Sequence, residues 1–144
     1  MNTDWPQLAE EYIKLSATLT AADSAHKGNE QIKRLIGLAA SIFPRDRKAD
    51  LYWHIQALEH PTHKWFIAKV IAQLSPVPQA LFEPLLQAAL REGNPSATQV
   101  FIAPCVKTFG PEAVVARAEQ LAELQSGNES GLTNIKYWVP RCAA

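Results

Sequence analysis

The sequence is short of cysteine, of net charge and of long apolar runs, and each shortage excludes a class of protein. Its two cysteines, Cys105 and Cys142, are too few for a disulfide framework, which indicates a reducing compartment. Lys and Arg number 14 against 14 Asp and Glu, so the basic excess of a general phosphate-backbone binder is absent. The longest apolar run, Leu35 to Phe43, has nine residues, whereas a bilayer-spanning helix needs about 20. We therefore expect a cytoplasmic protein that makes no membrane contact.

The sequence also lacks the motifs that usually carry catalysis. It contains no Gly-rich phosphate loop, no Gly-x-Ser-x-Gly elbow and no His-Glu-x-x-His helix. Cys105 lies in an apolar segment, whose surroundings raise rather than lower a thiol pKa. Glu119 and Glu123 share a helix face, but exposed carboxylates without a partner rarely do acid–base work. We expect a protein that is not an enzyme and that needs no cofactor.

Three histidines raise the question of a metal site. His54, His60 and His63 lie within ten residues, and histidine is a common zinc ligand. The spacing His60-x-x-His63 crosses Pro61 at a predicted helix junction, so the two rings need not share a face. The simpler interpretation is that His60 ends one helix and His63 begins the next. We expect no bound metal here.

What the sequence does contain is one apolar phrase that occurs three times. Its copies start 31 and then 35 residues apart, and they are Leu35-Ile36-Gly37, Phe66-Ile67-Ala68 and Phe101-Ile102-Ala103. Each copy is followed eight positions after its start by a bulky residue and then by a helix breaker, the bulky residues being Phe43, Leu74 and Phe109. This spacing is typical of repeated helical hairpins, which bury their apolar faces by stacking on one another.

The apolar spacing and the breakers predict an all-α chain. A leading helix capped by Thr3 or Asp4 is followed by helix pairs near 29–59, 61–92 and 95–126, with Asn29 capping the first pair. A short closing helix ends at Pro140. We expect the bulky residues after the three phrases to occupy equivalent core positions.

The junctions between the pairs carry a resemblance to a known family. His60-Pro61-Thr62 and Asn94-Pro95-Ser96 open successive pairs, and Pro104 lies inside a first helix. Over about residues 29–127 the chain resembles HEAT-type α-solenoids. The length of 144 residues predicts a single domain over 1–144. The resemblance implies that this domain is a short right-handed stack of about three helix pairs, whose second helices line a concave face.

Charge is distributed unevenly along the predicted stack. Between His26 and Lys69 there are eight Lys or Arg and four acids, whereas between Gln79 and Ser130 there are three bases and six acids. One interpretation is a set of ordinary solvated helix faces. The other is a bipolar surface that orients a protein partner.

The predicted second helices carry a candidate partner-binding strip. Leu51, Ile55 and Leu58 form the expected core stripe of the first of them, which turns Trp53 and Gln56 away from the core. The full strip comprises Trp53, Gln56, Glu83, Gln87, Arg91, Arg117, Gln120 and Glu123. Trp53 is either an exposed interface anchor or a side chain packed between repeats, and the sequence leaves both open.

These patterns predict a non-enzymatic protein-binding module, an adaptor or an inhibitor, that is a monomer or a weak homo-oligomer. A toxin-neutralising immunity protein is one concrete case. The first alternative is a nucleic-acid binder resembling the HEAT-like DNA glycosylases, which would use Lys33, Arg34, Arg45, Arg47, Lys48 and Lys64. A metal-dependent enzyme around His54, His60 and His63 comes third.

Overall fold

The computed structural model describes residues 4–18, 25–44, 51–74, 76–92, 94–124 and 129–143, without the side chains of 18 and 25–29. Within these ranges the chain is all helical and contains no strand. Its α-helices are α1 (Trp5–Thr18), α2 (Ala25–Ser41), α3 (Tyr52–Ala57), α4 (His63–Ile71), α5 (Phe82–Arg91), α6 (Pro95–Phe109), α7 (Pro111–Leu124) and α8 (Glu129–Ala143). The short 3-10 helix Gln79–Leu81 precedes α5. None of the helices in the described ranges is long and apolar enough to cross a membrane.

The helices group into two compact units, Met1–Gln73 and Leu74–Ala144. In the first unit, α4 packs against α1, α2 and α3, and α1 packs against α2. The second unit contains α5 to α8. The boundary falls inside the predicted pair 61–92, and the single domain over 1–144 stays a prediction.

Local signals in the sequence explain where several helices begin and end. The Asp4 carboxylate accepts a hydrogen bond from the Gln7 N–H at 3.1 Å and so caps α1. The Asn94 side chain accepts from the Ser96 N–H at 3.0 Å, and Pro95 begins α6. Gly110 follows α6 with φ +92, a conformation that favours glycine. These boundaries lie where the sequence predicts them.

Two predicted helix boundaries are wrong. Helix α2 begins at Ala25, so Asn29 lies inside the helix and does not cap it. Helix α8 continues through Pro140 to Ala143 and has 15 residues, so the closing helix is not short. Its residues Ile135 and Val139 are buried within the second unit. This packing outweighs the loss of the backbone hydrogen bond that Pro140 cannot donate.

The bulky residues after the three repeated phrases are not equivalent. Phe43 is 5% exposed and lies two residues beyond the end of α2, and Leu74 is 4% exposed and lies three residues beyond the end of α4. Phe109 is the last residue of α6 and is only partly buried, with its ring 4.3 Å from the ring of Phe82. Phe43 and Leu74 are thus buried as predicted but lie beyond their helices, whereas Phe109 ends its helix but is only partly buried, so the three do not share one position.

The second unit packs as a closed cluster of four helices. Each of α5, α6, α7 and α8 contacts the other three, and the contact between α6 and α8 is the most extensive. The Trp138 Nε1–H donates to the carbonyl oxygen of Pro95 at 2.6 Å, which ties α8 to the start of α6. In a solenoid each repeat contacts only its neighbours. Helix α5 belongs to the predicted pair 61–92 and α8 follows the next pair, so the contact between α5 and α8 skips a repeat and is not part of the solenoid pattern. The solenoid arrangement stays a prediction.

Candidate functional site

The predicted partner-binding strip is divided between the two units. Trp53 and Gln56 lie on α3 of the first unit. The other six residues lie on α5 and α7 of the second unit, three on each helix. The strip is therefore described separately for each unit.

On α5 the predicted residues share one face of the helix. Glu83, Gln87 and Arg91 follow one another at intervals of four residues, which places them in one row. Glu83 and Gln87 are partly buried and Arg91 is exposed. The opposite side of α5 buries Leu85 and Ala89, among others. Helix α5 is thus amphipathic, and its polar row faces outward.

Arg117 joins the polar row of α5 to helix α7. Its guanidinium forms an ion pair with the Glu83 carboxylate. Its Nη1 also donates to Oε1 of Gln120 at 2.8 Å. The side chains of Arg117 and Glu83 are 38% and 47% exposed, so the ion pair adds little to stability. The structure therefore brings three predicted residues together in a connected polar cluster across two helices.

Glu123 does not belong to this cluster. It is exposed, and it lines a hollow together with Glu119, Glu129 and Leu132. It therefore lies at the side of α7 that faces α8.

Leu124 is a member of this surface that the sequence reasoning missed. Its side chain is 80% exposed, although leucine is usually buried. It follows Arg117 by seven residues and Gln120 by four, so it lies on their face of α7. That same spacing is the signal that could have found it. We name the surface formed by Glu83, Gln87, Arg91, Arg117, Gln120 and Leu124 the α5–α7 strip.

In the first unit, Trp53 packs among aromatic rings. It is partly buried and stacks on Trp5, with centroids 6.3 Å apart and ring planes 24° apart. The ring of His54 meets it edge-on at 5.3 Å. This geometry favours the packed interpretation of Trp53 over the exposed anchor. Gln56 is exposed, and its Nε2 donates to the Tyr52 hydroxyl at 2.8 Å.

The core side of α3 differs from the predicted stripe. Leu51 and Leu58 are each 1% exposed, as predicted, but Ile55 is only partly buried. His54 is 1% exposed instead, with the rings of Trp5 and Phe43 at 4.4 Å and 4.6 Å. The sequence spacing did not predict it, because Trp5 comes from α1, far away in the chain.

The other two histidines take part in a helix start. The Nδ1 of His60 accepts hydrogen bonds from the N–H groups of Thr62 and His63, both at 3.2 Å, and so caps α4. The Nε2 of His63 lies 3.2 Å from Oε1 of Glu10. In the part of the chain that the structure describes, no group of three or more His, Cys, Asp or Glu is arranged to hold a metal ion.

The two thiols are poorly suited to nucleophilic chemistry. Cys105 is fully buried, and burial raises its pKa far above the ordinary thiol value. Cys142 is partly buried, and burial raises its pKa as well. Because the thiolate is the nucleophile, both side chains are held in the less reactive form at neutral pH.

The basic residues proposed for nucleic acid are only partly within the described ranges. Arg45, Arg47 and Lys48 lie outside them. Lys33 and Arg34 are exposed on α2. Lys64 lies over the ring of Trp65, with Nζ 4.8 Å from the centroid.

Comparisons with known proteins add no relative to this picture. No family model, curated protein or solved structure matches the chain. The surfaces described above are therefore the basis on which a function is proposed.

Proposed function

We propose that this chain is a non-enzymatic protein-binding module, an adaptor or an inhibitor, that contacts its partner through the α5–α7 strip. The observation that carries the proposal is the connected cluster of Glu83, Arg117 and Gln120 across two helices. A toxin-neutralising immunity protein remains the concrete case that we favour, acting in the cytoplasm.

The composition of the strip suits recognition of a protein. It presents charges of both signs and two amides, and such a mixture selects and orients a partner through electrostatic complementarity. Leu124, 80% exposed at the end of α7, adds apolar area that a partner could remove from water. Arg117 is oriented by its contacts with Glu83 and Gln120 before any partner binds, which lowers the entropy cost of association.

The HEAT-like stack is part of the same proposal. Helices α5 and α7 are the second helices of successive predicted pairs, and they contact each other directly. In a HEAT-like arrangement second helices lie side by side along the concave face, so this contact supports that arrangement in the second unit.

The test is affinity purification from an extract of the source cells, with variants of matched charge. Arg117→Glu and Arg91→Glu reverse charges within the strip, whereas Lys107→Glu reverses an exposed charge on α6 as the control. We expect the wild type and Lys107→Glu to retain the same protein. Each strip variant should bind that protein at least about thirtyfold more weakly, the effect of losing a hot spot. Equal retention by all four proteins would contradict the proposal.

The nucleic-acid alternative is decided by mobility-shift titrations with DNA and RNA at two salt concentrations. Phosphate contacts would make binding fall steeply as salt rises. We expect no shift. Tight, salt-sensitive binding that is lost on charge reversal of Lys33 and Arg34 would replace the protein-binding proposal.

A further inference from the structure

The side of α7 that faces α8 forms a groove with an apolar end. This end has a volume of about 730 Å³. Most of its lining is apolar, including Val115 of α7 and Val139 and Pro140 of α8, and the carboxylates of Glu112 and Glu119 lie at its walls. A smaller hollow of about 230 Å³ is lined by the same two helices and shares Glu119 with the first. We name the two hollows together the α7–α8 groove.

The second end of the groove is acidic. Glu119, Glu123 and Glu129 line it, together with Ala122 and Leu132. Lys136 approaches Glu119 with its Nζ 3.9 Å from Oε2. Three carboxylates with one nearby ammonium leave an excess of negative charge. Along α7 the groove therefore changes from mainly apolar near the start of the helix, where Glu112 lies, to mainly acidic near its end.

The exposed face of α2 carries basic and apolar residues in an order that complements the groove. Lys33 and Arg34 are exposed in its middle. Leu38 and Ile42 follow on the same side, 54% and 42% exposed. A Cβ added at Gly37, which lies between Arg34 and Leu38, would meet no atom within 4 Å, so this side of the helix is open. From residue 33 to residue 42, this side of α2 thus changes from basic to apolar, and the exposed Glu30 lies one turn before it.

The two surfaces also match in length. Eight residues separate Arg34 from Ile42, and eight separate Val115 from Glu123. At about 1.5 Å per helical residue, both separations are about 12 Å. A helix running antiparallel to α7 would therefore place its apolar end on Val115 and its basic end on Glu123 at the same time.

We propose that the chain associates with itself, with α2 of one copy lying in the α7–α8 groove of another. Leu38 and Ile42 cover the apolar end, and Arg34 faces Glu123. We infer a second copy of the chain as the occupant, because its α2 has the complementary charge and the matching length. The chain has no net charge, so copies do not repel one another.

The contact joins two different surfaces, which determines the form of the assembly. In such a pair one copy still presents an unused groove and the other an unused α2, so further copies can add head to tail. Because the patch is small, we expect weak association that strengthens with protein concentration. The α5–α7 strip lies on another side of α7, so this inference does not depend on the proposed function.

Sedimentation velocity over a wide range of protein concentration tests the proposal. The average mass of the wild type should rise with concentration and fall again when salt is added. Arg34→Glu and Glu123→Lys should each remain monomeric, because each loses one of the two surfaces. Lys69→Glu, a charge reversal at an exposed position of α4, should behave as the wild type.

Mixing the two variants gives the decisive result. Arg34→Glu keeps an intact groove and Glu123→Lys keeps an intact α2, and the two altered surfaces carry opposite charges, so an equimolar mixture should regain concentration-dependent association. The double variant with both changes should associate again, since the charges are exchanged. The proposal would be overturned if the wild type or the mixture stayed monomeric. It would also be overturned if Lys69→Glu lost self-association as fully as the two surface variants. Arg117→Glu should leave the assembly unchanged, which separates this test from that of the strip.

Discussion

Gly131 of α8 lies directly against the main chain of Leu90 at the end of α5. A Cβ at position 131 would stand 2.9 Å from the Leu90 Cα and would overlap the carbonyl oxygen of that residue. The neighbour is backbone and cannot rotate aside as a side chain could. The absence of a side chain at Gly131 therefore allows α8 to approach α5 and close the second unit.

Gly131→Ala should destabilise the protein. Forcing a methyl group into this contact should cost about 1–3 kcal/mol of unfolding free energy, the usual cost of overpacking. Gly37→Ala is the matched control, because its Cβ on α2 would meet nothing within 4 Å. It should raise stability by about 0.5–1 kcal/mol through the better helix propensity of alanine. Urea unfolding followed by circular dichroism measures both. Equal effects of the two substitutions would show that the close approach is not real.

Truncation of the three bulky repeat residues should rank them by burial. Phe43→Ala and Leu74→Ala remove buried side chains and should each cost about 2–5 kcal/mol. Phe109→Ala should cost less, because Phe109 is partly exposed and loses mainly its contact with the Phe82 ring. Thermal melts of the three variants check this order. A Phe109 variant as unstable as the Phe43 variant would restore the equivalence of the three repeats.

The Asn94 cap should contribute measurably to stability. Asn94→Ala removes the acceptor of the Ser96 N–H and should cost about 1 kcal/mol. Asn94→Asp keeps an acceptor oxygen at the same place and should behave almost as the wild type. Chemical unfolding of the two variants compares them directly. If both lose stability equally, the side chain does not act as the cap.

The two thiols should differ in their reaction with a thiol-specific reagent. Burial raises the pKa of Cys105, so at a given pH the folded protein holds less of its reactive thiolate than the unfolded chain does. In a Cys142→Ser variant, labelling at pH 8 should be slow in the folded state and fast in urea. In a Cys105→Ser variant the partly buried Cys142 should react sooner. Rapid labelling of Cys105 in the folded protein would contradict its burial.

Part of the candidate site could be predicted from the sequence. Glu83, Arg117 and Gln120 were predicted from their helix positions alone, and the structure joins them through one guanidinium. Glu123 was predicted for the same strip but lies toward α8. Trp53 was left between two interpretations, because its packing depends on Trp5 of another helix. A residue's side of its own helix follows from spacing, but what covers that side does not.

The sequence by itself determined the helical class and several helix ends. Asp4 and Asn94 accept hydrogen bonds from residues a few positions away, and the Gly110-Pro111 corner depends on its own backbone conformation. These effects therefore depend only on nearby sequence. Only the tertiary structure decided that α8 continues through Pro140 and that His54 lies in an aromatic core. It alone also formed the groove between α7 and α8. These features depend on burial among residues far apart in the chain, and such packing can outweigh a local preference.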